Sequence, residues 1–219
     1  MTKTGTATGS TLEDGADSAL DWARANSKAI SIGLTVVAAA VVIAIVARQY
    51  SNRREDAAEA ALGRARQSYA QGNLPLAQTD LRRVISQFGG SAAGSQASML
   101  LAQAYYEQGK ADSGLKVLDE GDASSSDRAA FEALKGAGFE QKKEYAKAAE
   151  RYKAAAAEVT DAKMAKDRYL ADAARAFTSA GNKAEAAKIW EAMAKDATSP
   201  FSSEAKVRLG ELVAAPAVK

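Results

Sequence analysis

Leu100–Leu118 reads LLAQAYYEQGKADSGLKVL, two stretches of helical character that meet at Gly109-Lys110. Before the turn, Leu101, Ala102 and Tyr105 share a helical face; after it, Gly114 and Leu118 do the same. Two antiparallel helices can approach closely where Ala or Gly meets a ring or Leu, and a Gly turn lets the chain reverse between them. The stretch therefore predicts a helical hairpin. Neighbours on a helix point about 100° apart, so Tyr105 is expected in the core and Tyr106 on another face.

The same alternation returns on both sides. Turns at Gly72-Asn73, Gly109-Lys110, Lys143-Glu144 and Gly181-Asn182 are separated by 37, 34 and 38 residues. The third unit carries Gly136, Phe139, Tyr145, Ala148, Tyr152 and Ala155, and the fourth Ala174, Phe177, Gly181, Ala186, Trp190 and Met193. The first keeps Ala65, Gly72, Ala77, Leu81 and Val84 but sets Tyr69 one place late. The helix pairs are expected at Ser51 to Gln71 with Pro75 to Phe88, Ala92 to Gln108 with Ala111 to Glu120, Asp127 to Gln141 with Glu144 to Ala157, and Lys163 to Ala180 with Lys183 to Lys195. One hairpin cannot cover its own apolar faces, so the units must stack. A last helix from Ser202 to Val213 is expected to cover the open end, with Glu204, Lys206, Arg208 and Glu211 on its wet face. With 26% charged residues, 6% aromatic residues and three prolines, composition agrees with an all-α domain of about 170 residues, large enough to bury a core unaided.

Upstream lies a segment of another kind. Ala29 to Ala47, AISIGLTVVAAAVVIAIVA, contains no charged side chain. As helix it would cover roughly 28 Å, close to the hydrocarbon thickness of a bilayer. Lys28 and Arg48 bracket it, and Trp22 and Tyr50 stand where amphipathic rings favour the interface. A buried core helix and a signal peptide cleaved after Ala44 compete with this reading. The preceding leader, with Glu13, Asp14, Asp17 and Asp21, is too long and acidic for an ordinary signal n-region, which favours an uncleaved single-pass anchor. Orientation stays open: Arg24 and Lys28 precede the span, whereas Arg48, Arg53, Arg54, Arg64 and Arg66 follow it, and long domains translocate regardless of such charges.

Several function classes lose support. The chain has no Cys and no His, which removes disulfides, thiolate and ordinary zinc sites, and His-based catalysis. A formal net charge of +2 offers no footprint for nucleic acid. Gly136-Ala137-Gly138 resembles part of a phosphate loop, but it sits inside a helical unit and reads as close helix packing. Glu140 with Glu144, and Asp119 with Glu120, read as exposed helix charges. No catalytic residue, cofactor or metal is expected.

The spacing brackets the period of tetratricopeptide repeats, and the whole arrangement resembles a known family. A short polar tail, the LDWARANSKAISIGL approach to a single span and the Ala- and Gly-containing hairpins are similar to the tetratricopeptide-repeat ancillary subunit of the bacterial Sec translocon and to the repeat domain of a cell-division coordinator. The resemblance implies a protein of the bacterial inner membrane with its repeats in the periplasm. It also implies a concave groove lined by the first helix of each unit. Its positions here are Glu59, Leu62, Arg66 and Tyr69, then Gln96, Met99, Gln103 and Tyr106, then Glu140, Gln141, Arg168 and Arg175. Gly33, Ala40, Ala44 and Ala47 lie near one side of the span and could pack against a membrane partner. The expected organisation is thus a polar tail over 1–28, a transmembrane helix over 29–47, repeats over 48–200 and a capping helix and tail over 201–219. The expected function is that of a non-catalytic adaptor or chaperone-like accessory subunit that binds polypeptides or partner proteins, with a structural subunit of a large integral-membrane complex as the alternative. The bilayer, a membrane complex and polypeptide segments are the expected partners; nucleic acid is not.

Overall fold

A computed structural model describes residue 22 and residues 25–214. The acidic leader, Arg24 and the extreme C-terminal tail lie outside the described residues. Nine helices and no strand occur among those described: α1 Ser27–Ala70, α2 Leu74–Phe88, α3 Ala92–Glu107, α4 Ala111–Glu120, α5 Arg128–Gln141, α6 Tyr145–Ala157, α7 Lys163–Ser179, α8 Lys183–Lys195 and α9 Ser202–Ala214. The main departure from the sequence reading is α1, which runs 44 residues without interruption where a span and a separate helix from Ser51 were expected. Arg48, Gln49, Tyr50 and Ser51 contain neither Gly nor Pro, so nothing between the apolar segment and the first hairpin stops helix propagation.

The chain divides into two compact units, Met1–Arg54 and Glu55–Lys219. In the first, the apolar part of α1 is exposed throughout, including Ile32, Leu34, Val36, Val37, Ile43 and Ile45. Its most apolar window has a mean hydropathy of 2.3 and is 0% buried. Among the described residues this is one helix long and apolar enough to cross a membrane, a test that a signal sequence also passes.

The second unit is built on four equivalent turns. Gly72, Gly109, Lys143 and Gly181 have φ of 74°, 72°, 60° and 78°, the left-handed region that ends helices in the Schellman arrangement. The hydrogen bonds repeat with them. The amides of Asn73, Lys110, Glu144 and Asn182 donate back to the carbonyls of Ser68, Tyr105, Phe139 and Phe177 at 2.9–3.0 Å. Asn73 and Asn182 then cap the following helices, their side chains accepting from Leu76 and Glu185 amides at 3.3 Å. Pro75 stands in the first turn of α2, where its missing donor costs nothing.

Aligned on these turns, the hairpins bury the same places. Ala65, Ala102, Gly136 and Ala174 are the small residues of each first helix, and Ala77, Gly114, Ala148 and Ala186 those of each second helix. Opposite them stand Leu81, Leu118, Tyr152 and Trp190, all buried. Gly136 leaves room for the Tyr152 ring, whose nearest carbon would lie 2.8 Å from a Cβ added there. At α9, Phe201, Ala205, Leu209 and Leu212 pack on the cluster around Phe177, Trp190 and Met193.

Candidate functional site

The first helices of the last three hairpins, with one side chain from α6, line a concavity of about 280 Å³. Its floor is α5, where Ala130, Ala133, Leu134 and Ala137 recur on one helical face. Three alanines in four places recess this helix below its neighbours, which is why a hollow forms here. One wall is α3 with Met99 and Gln103; the other is α7 with Arg168, Tyr169 and Asp172, and the Tyr152 ring closes the space between.

The walls carry different electrostatics. The Arg168 guanidinium is 5.8 Å from the centroid of the Tyr169 ring. Its side chain is exposed and, among the described residues, forms no ion pair. Asp172 accepts from Arg175 Nη1 at 2.6 Å. Burial pushes its carboxyl above the ordinary range, a shift that the positive charges of Arg175 and Arg168 oppose. Tyr152 donates its hydroxyl to Glu140 Oε2 at 2.9 Å; burial, then the charge of Glu140, drives this phenol well above its ordinary value. The arrangement offers hydrogen-bond donors and apolar surface to a ligand.

Of the groove residues expected from sequence, Met99, Gln103 and Arg168 line the concavity. Arg66 donates to Gln96 on the neighbouring helix. Tyr69 donates to Glu107, and partial burial together with that carboxylate pushes its phenol up to about 12. Glu59 is exposed. Two expectations fail. Leu62 is 0% exposed and belongs to the core of the first hairpin. Tyr106 is not an open groove ring: a Cβ on Gly114 or Gly138 would fall 2.2 or 2.3 Å from its atoms, so the ring fills a slot between α4 and α5 that only the two glycines leave free. Gln141 donates to the Tyr106 carbonyl at 2.7 Å and braces the same junction. Glu140 is held by Tyr152, and Arg175 by Asp172 and Glu204. On α1, Gly33, Ala40, Ala44 and Ala47 are all exposed.

The sequence reading missed the alanine floor, Leu134, Tyr169 and Asp172. Their signal was present, since Ala130, Ala133, Leu134 and Ala137 follow helical spacing away from the buried Phe131 and Gly138. The groove positions that the resemblance implies fall on Glu140, Gln141, Arg168 and Arg175 in the last two units and pass over Ala130, Ala133 and Leu134.

Comparison with known families agrees with this geometry. A family described as tetratricopeptide repeat-like domain matches residues 44–172. No curated protein matches the chain. The structural repeat continues past the matched residues, because the turn at Gly181 has the same conformation and hydrogen bonds as the three before it.

Proposed function

The chain belongs to the tetratricopeptide repeat-like family, and from that premise we propose that it is a membrane-anchored, non-catalytic adaptor that receives polypeptide segments in its concave groove. Repeats of this kind act through protein partners, and the single observation that carries the reading here is the hollow over Ala130, Ala133, Leu134 and Ala137. Its scale suits side chains of an extended segment, with rings and a guanidinium at its edge to anchor them. The exposed apolar stretch of α1 supports anchoring. The proposed setting is the bacterial inner membrane, single-pass, with the repeats in the periplasm as an accessory of the protein-export machinery. This rests on resemblance in architecture.

A structural subunit of a large membrane complex is the second reading, favoured by the exposed small residues Gly33, Ala40, Ala44 and Ala47 on the apolar helix. A photoreactive residue at exposed Gln103, compared with one at exposed Lys116 on α4, separates the two. The adaptor predicts adducts with exported polypeptides from Gln103 and not from Lys116. Equal labelling at both positions, or adducts only with one stoichiometric membrane subunit, would overturn it.

A further inference from the structure

Resting on the groove reading, we infer that the groove selects segments in which an internal acidic side chain accompanies apolar ones, the carboxylate being received by Arg168. The polar groups of the hollow are unequally engaged. Asp172, the carboxylate among its lining residues, already accepts from Arg175 at 2.6 Å. Arg168, the guanidinium among them, makes no ion pair among the described residues and lies 5.8 Å from the centroid of the Tyr169 ring. A guanidinium has five N–H donors in a planar fork and can bind a carboxylate through two of them. A basic segment would find the acid of the hollow occupied and Arg168 repelling it. An acidic one would meet a cation with donors free, held at the edge of an apolar floor.

The test uses the full chain in mild detergent and fluorescein-labelled peptides, acetylated and amidated, of alternating Leu and Ser with one central Glu, Gln or Lys. Fluorescence anisotropy should show the Glu peptide binding roughly fivefold tighter than the Gln peptide, as for a partly exposed ion pair, and the Lys peptide weakest. Arg168→Gln should abolish the preference for Glu over Gln, with helicity unchanged by circular dichroism, and Arg168→Lys should retain part of it. Equal binding of all three peptides to the parent chain would overturn the acidic preference and leave the groove reading standing. A preference that persists in Arg168→Gln would overturn the role of Arg168. Failure of all three peptides to bind would overturn the groove reading as well.

Discussion

At the residue scale, the four turns put one conformation on two kinds of residue. Three carry Gly at the left-handed position, and the third carries Lys143 with φ 60°. For a residue with a Cβ that conformation costs roughly 1–2 kcal/mol, so Lys143→Gly should stabilise the repeat unit by about 1 kcal/mol after the greater freedom of an unfolded Gly is counted. Thermal unfolding of the full chain in detergent should show a rise of about 2–4 °C; a fall would mean that the Lys143 side chain contributes more than the turn loses. Tyr69 and Tyr106 occupy the same place in successive hairpins, which is why the resemblance assigns both to the groove. The structure parts them because the residue packed on Tyr106 is Gly138, whereas the matching place in the preceding hairpin is Ala104, which carries a Cβ. The cost of the slot is a buried Tyr106 hydroxyl with no hydrogen-bond partner among the described residues. Tyr106→Phe should therefore be neutral or stabilising by up to about 1 kcal/mol, measured by the same thermal scan, while a clear loss would reveal a partner for that hydroxyl.

At the element scale, helix ends were legible wherever a turn had its own chemistry. Ala111–Glu120 and Lys183–Lys195 fall where the Gly-Lys and Gly-Asn turns put them, and apart from the start of α1 the remaining hairpin helices differ by a residue or so. The join between the apolar segment and the first hairpin had no such mark and was misread as a break, because the change there is in hydropathy and charge, which leave the backbone helical. Which helix faces line the groove was only partly legible, since spacing separates one face from the next but cannot say which neighbour covers it: Leu62 is fully buried, whereas Ala133 is only partly buried and lines the hollow. α9 illustrates how an end element is fastened. Arg175 on α7 grips Glu204 through Nε at 3.0 Å and Nη2 at 2.7 Å. The Arg175 hydrogen bond holds the Glu204 carboxyl below its ordinary value of 4.5. A carboxylate with a depressed folded pKa adds stability above its unfolded pKa and loses that contribution as pH falls through the folded one. Discounted for partial exposure, the pair is worth about 1 kcal/mol. Acidification below 4.5 should loosen α9 first, and buried Trp190, packed beneath it, should report this by a red shift in emission. Glu204→Gln should show the loosened signal already at neutral pH and a flatter acid response; an unchanged profile would mean that the apolar contacts of Phe201 and Leu209 hold α9 alone.

For the molecule as a whole, the tetratricopeptide repeat-like unit points to protein partners, and the proposal that they are met at a membrane turns on the apolar part of α1. Its side chains from Ile32 to Val46 are exposed, and an apolar surface of that extent is stable only against lipid or another apolar partner. Retained as an anchor or removed as a signal, the segment makes opposite predictions. Cleavage after Ala44 would leave a mature chain that begins at Ile45 and washes free of the membrane. Retention predicts that peptides from the acidic leader are recovered from the mature protein, and that carbonate extraction leaves it in the pellet. Val41→Asp puts a charge near the middle of the stretch, where insertion scales assign a cost of about 2.5–3.5 kcal/mol. That variant should shift largely to the soluble fraction or be degraded, while an Asp at exposed Gln49, beyond the apolar stretch, should leave extraction unchanged. If Val41→Asp stays in the carbonate pellet as fully as the parent chain, the apolar part of α1 is not what holds this protein to the membrane, and the anchoring part of the adaptor proposal fails.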